Sequence, residues 1–79
     1  MDPETLMQEN EELTSEADKA IKENDLSKKK ELVPKVDELI NKWKVLSSYP
    51  MDQKGTFWVD TIILVLEDLK RELLDYRDL

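Results

Sequence analysis

The chain contains no cysteine and no histidine, and a single glycine, in 79 residues. Without cysteine there is no disulfide to staple a small fold. Without histidine the commonest metal ligand and the usual near-neutral proton carrier are both missing. One glycine cannot build a glycine-rich phosphate loop of either the G-x-x-x-x-G-K-[ST] or the G-x-G-x-x-G kind. With only three prolines besides it, the chain also lacks the turn residues of an all-β fold. A serine nucleophile would have no histidine to activate it, and no thiol exists to replace it. Catalysis is therefore not expected.

Long apolar runs are lacking too. The longest, Ile62 to Leu66, falls far short of the ~20 residues that a spanning helix needs. The first residues, MDPETLMQENEEL, are acidic and polar, unlike a secretory leader with its basic start and apolar centre. A soluble, cytoplasmic protein is the expectation.

What the chain has in quantity is charge: 39% of residues are charged and 39% hydrophobic, a balance close to that of helix bundles and coiled coils. The net charge of −7 disfavours direct binding to nucleic acid or to anionic membranes. It is unevenly spread. Residues 1–24 hold eight acids and two bases, residues 25–51 four acids and six bases, and residues 52–79 seven acids and four bases. An acidic first segment beside a lysine-rich second one is the natural arrangement.

Apolar spacing predicts one domain over residues 1–79, an all-α antiparallel three-helix bundle with helices at about 3–24, 27–47 and 57–77. In the first, Asp2 is a capping carboxylate and Pro3 a favoured first residue. Leu6, Leu13, Ala17, Ala20 and Ile21 then recur at helical spacing. In the second, Leu32, Val36, Leu39, Trp43 and Leu46 are spaced four, three, four and three, with Val33 and Ile40 widening the face. Pro34 interrupts this pattern. Either the helix begins near Glu31, or it begins at a Ser27 cap and bends at Pro34; the helix-forming lysines before it favour the bend. Ser47-Ser48-Tyr49-Pro50 ends the segment, since the residue before a proline is pushed out of the helical region.

In the third segment, after a Thr56 cap, Trp58, Ile62, Val65, Leu69 and Tyr76 form one stripe, joined by Leu66 and Leu73. The start, TFWVDTIILVL, is rich in β-formers. A strand here would have nothing to pair with, because neither other segment alternates. Phe57, Val59, Ile63, Leu64 and Leu74 spread beyond the stripe, so this helix is expected to be the most deeply buried, with a second chain covering part of it.

Several candidate sites are outweighed by simpler readings. The acid pairs Glu11-Glu12, Asp37-Glu38 and Glu67-Asp68 are adjacent, and neighbours on a helix point in different directions. They read as solvated faces, not as a general acid and base. Asp52, Gly55 and Asp60 resemble a calcium loop only superficially, lacking its regular oxygen ligands and closing glutamate. No metal or other cofactor is expected. Lys28, Lys29 and Lys30 read as a solvated run or as a match for the acidic first helix.

The remaining signal is the apolar width of the third helix. It points to a protein-interaction module, a homodimer or a hetero-partner, packing helix on helix. The candidate contact residues are Trp43, Phe57, Trp58, Ile62, Ile63, Leu64 and Leu66. A second class is an acidic inhibitor that mimics nucleic acid toward a basic protein, with Glu9, Glu12 and Glu16 as its face. A third is a small secretion-type chaperone shielding a client helix.

Overall fold

The computed structural model describes residues 3–75. Its regular structure is three helices, α1 (Pro3–Glu23), α2 (Leu26–Ser47) and α3 (Gln53–Leu73), with no strand among the described residues. The expected cap at Asp2 and the last stripe residue, Tyr76, lie outside them.

The two connections are built from local polar chemistry. At the end of α1, Asn24 takes a left-handed φ of 52°, a conformation asparagine tolerates better than most residues. This lets the Asn24 N–H reach the Ile21 carbonyl at 3.2 Å and the Asp25 N–H reach that of Ala20 at 3.0 Å, satisfying the last turn. Asp25 then opens α2, its carboxylate accepting from the Lys28 N–H at 3.1 Å. The cap is thus Asp25 and not the expected Ser27. Aspartate competes well for this role, and Asp25 already stood at the point where the chain reversed.

Helix α2 runs unbroken through Pro34, as the earlier of the two expected starts requires. Pro34 is exposed, so its ring and its missing N–H fall on the solvent side. At the far end, the Ser47 and Ser48 hydroxyls donate to the Lys44 and Val45 carbonyls at 2.6 Å each. Pro50 then stops the helix.

The third helix begins earlier than expected. Asp52, not Thr56, is its cap, accepting from the Gly55 N–H at 2.7 Å. Gly55 lies inside the first turn, close against Asp52 and Met51. The helix ends at Leu73, short of 77, and the Leu74 N–H donates to the Lys70 carbonyl at 3.0 Å. The β-rich start of the segment is helical throughout.

Cross-helix pairs fix the directions. Lys42, late in α2, meets Glu9, early in α1, at 3.3 Å. Trp43 meets Trp58, early in α3, while Lys29, early in α2, reaches the Asp75 carbonyl beyond the end of α3. The helices therefore run up, down and up. The core holds Leu6, Leu13, Ala17 and Ala20 from α1, Leu32, Val36, Leu39, Ile40 and Trp43 from α2, and Val59, Ile62, Leu66, Leu69 and Leu73 from α3.

Helix α2, not α3, is the central one: it packs against both neighbours, and α1 and α3 touch only lightly. Ala17 and Ala20 let α1 approach closely, but a helix this thin covers one flank of α2 and leaves α3 open. The expectation that α3 would be the most buried helix is corrected accordingly. Its core stripe is also turned from the expected one. Val59 is fully buried, whereas Trp58 and Val65, assigned to the stripe from spacing, are exposed. Apolar residues surround so much of this helix that two stripes roughly half a residue-turn apart are equally well populated.

Candidate interaction surface on the third helix

The outward side of α3 carries Phe57, Trp58, Leu64 and Val65, which are 75%, 43%, 66% and 55% exposed. Thr61, also exposed, lies between them. Steps of three and four residues set all five along one side of the helix. Leu26, Val45, Tyr49 and Leu74 are exposed as well but lie outside this strip. Single exposed apolar residues are ordinary on any protein surface, and a contiguous strip is not.

An aromatic contact ties the strip to the core. The Trp58 ring meets Trp43 edge to face, with centroids 5.5 Å apart and planes at 86°. Trp43 is fully buried, so it holds one part of Trp58 still while the remainder faces outward. The Thr61 hydroxyl donates to the Phe57 carbonyl at 2.7 Å. Its hydrogen is thereby satisfied within the helix, and the residue offers its methyl group at little polar cost. Lys54 stands at one end of the strip and Asp68 at the other, both exposed.

Of the seven residues picked from sequence as contacts, Phe57, Trp58 and Leu64 come together on this strip. Ile63 is half-buried at the edge of the core. Trp43, Ile62 and Leu66 are core residues of the chain itself. Val65 and Thr61 also belong to the strip, although spacing alone sets Val65 in the core stripe and Thr61 gains its relevance only from its exposed neighbours.

The acidic face is arranged differently from a bare carboxylate array. Glu9, Glu12 and Glu16 line a groove between α1 and α2 together with Glu38, Lys35 and Lys42. Glu9 is paired with Lys42, and Lys35 lies 3.8 Å from Glu31. Lysines of α2 are therefore interleaved with the carboxylates of α1, matching the charge asymmetry of the sequence. Such partly exposed pairs contribute ~0–1 kcal/mol each and act mainly on orientation.

Asp52, one member of the loop that resembled a calcium site, is occupied as a helix cap. Among the described residues no three acids come together as a metal-binding group, and no helix is long and apolar enough to cross a membrane. Lys29, read from sequence as part of a solvated run, is buried. Its ammonium donates to Asn24 Oδ1 at 2.9 Å and to the Asp75 carbonyl at 3.2 Å. No family model, curated protein or solved structure matches the chain.

Proposed function

We propose that this chain is a non-enzymatic protein-interaction module whose docking surface is the outward strip of α3. The observation that carries the reading is the placement of Phe57, Trp58, Leu64 and Val65 together on one exposed side of one helix. A helix with apolar residues around most of its circumference is stable in water only where most of it is covered. Helix α2 covers one side, and a further helix covers the other. Trp58 is the natural anchor, a large aromatic already held by Trp43, so little freedom is lost when it docks.

A photo-crosslinking residue in place of Leu64 tests this in cells. It is expected to form an adduct of one defined mass, with no adduct from the same residue in place of Glu11, on the exposed side of α1. Equal labelling from both positions, or none from position 64, contradicts the docking role of α3.

A further inference from the structure

The strip is symmetric about Thr61. Trp58 and Leu64 lie three residues to either side of it, Phe57 and Val65 four, and Lys54 and Asp68 seven. We infer that the occupant of this surface is a second copy of the same chain, its α3 antiparallel to the first, with a two-fold axis passing beside Thr61. This rests on the docking reading above and names its partner.

Two-fold antiparallel pairing brings Phe57 and Trp58 of one copy level with Leu64 and Val65 of the other. Each layer then joins two aromatic and two aliphatic side chains, and Thr61 meets Thr61 at the centre, where a small residue allows close approach. Because the Thr61 hydroxyl is already bonded to the Phe57 carbonyl, covering it strands no donor.

The charges select the direction. Lys54 of each copy comes level with Asp68 of the other, which gives two opposite-charge contacts. Parallel pairing would set Lys54 beside Lys54 and Asp68 beside Asp68. A C2 interface is self-complementary by definition, and a palindromic order of apolar and charged residues is what such an interface requires. The four large side chains leave on the order of 500 Å² exposed at the usual areas of such groups. With Lys54, Thr61 and Asp68 at the seam, that approaches the ~800 Å² per partner of a stable association.

The test uses the absence of cysteine. Three single-cysteine variants, Thr61→Cys, Lys54→Cys and Asp68→Cys, each carry one thiol on an exposed position and are oxidised with glutathione disulfide. Thr61→Cys is expected to form a disulfide-linked dimer. Lys54→Cys and Asp68→Cys are expected to cross-link efficiently when mixed and poorly when each is alone. Charge reversal supplies a second readout: Lys54→Asp weakens self-association by roughly tenfold, and adding Asp68→Lys restores it.

Self-linking of Lys54→Cys as efficient as the mixed reaction overturns the antiparallel arrangement. A strictly monomeric protein with no linkage at position 61 overturns the second copy as occupant. In that event an adduct from position 64 to a different chain preserves the docking reading, whereas its absence removes that reading too.

Discussion

Trp43 and Trp58 meet edge to face at 5.5 Å, joining the innermost large side chain of α2 to the outward surface of α3. Together with the burial of Val59, Ile62, Leu66, Leu69 and Leu73, the contact agrees with the rotation of α3 that leaves this face pointing outward. Trp58→Ala is expected to destabilise the isolated chain by about 1–2 kcal/mol, from the lost ring pair and the buried part of the indole. Leu64→Ala, further out, stays within about ±0.5 kcal/mol. Urea denaturation at high dilution separates the two, and equal effects would mean that Trp58 is not held by Trp43.

Trp43 carries a second consequence. Its indole N–H is buried and finds no acceptor among the described residues. Trp43→Phe removes that donor while keeping an aromatic ring, so its cost is expected below about 1.5 kcal/mol, against roughly 3–5 kcal/mol for Trp43→Ala. Denaturation midpoints of the two variants check this, and similar losses from both would show that the N–H contributes.

Lys29 ties the α1–α2 corner to the end of α3 through Asn24 and Asp75. Lys29→Ala removes both contacts and the buried stem, at an expected cost of about 1–3 kcal/mol. The exposed Lys44→Ala, on the same helix, serves as the control, with a change within about ±0.5 kcal/mol. Amide exchange at the start of α2 should quicken only in the first variant. Unchanged exchange would place the Lys29 ammonium in solvent.

Pro34 lies in the middle of α2 on its solvent side. Pro34→Ala restores a backbone donor and relieves the clash with the preceding turn, and is expected to raise stability by about 1–3 kcal/mol. Calorimetry reads this directly. A lower midpoint in the variant would mean that the rest of the bundle is adapted to the proline.

The three helices and most of their inward residues were legible from spacing alone. In α1, Leu6, Leu13, Ala17 and Ala20 are buried as the pattern implied. In α2, Leu32, Val36, Leu39 and Trp43 are too. What spacing could not decide was the rotation of α3. Trp58 and Val65 lie about 20° apart around the helix and Val59 about 100° from Trp58, yet Ile62, Leu66, Leu69 and Leu73 can extend either set into a stripe, and only packing against α2 decides between them. Lys29 was legible in principle, since it continues the three-and-four spacing of Leu32, Val36 and Leu39 by one step. Its charge argued for solvent until the Asn24 and Asp75 oxygens were in place to receive it. The Asp52 cap was hidden by Thr56, a weaker but acceptable capping residue placed after the glycine.

Solution mass across a concentration series, from about 1 μM to about 1 mM, measured side by side for the native chain and Leu64→Glu, bears most directly on the role of the α3 strip. The native chain is predicted to rise from its monomer mass of 9.3 kDa toward twice that value. Leu64→Glu is predicted to remain monomeric throughout, with unchanged helicity and unfolding midpoint, because Leu64 is 66% exposed and plays no part in the core. Identical masses for the two proteins at every concentration would contradict self-association through this surface.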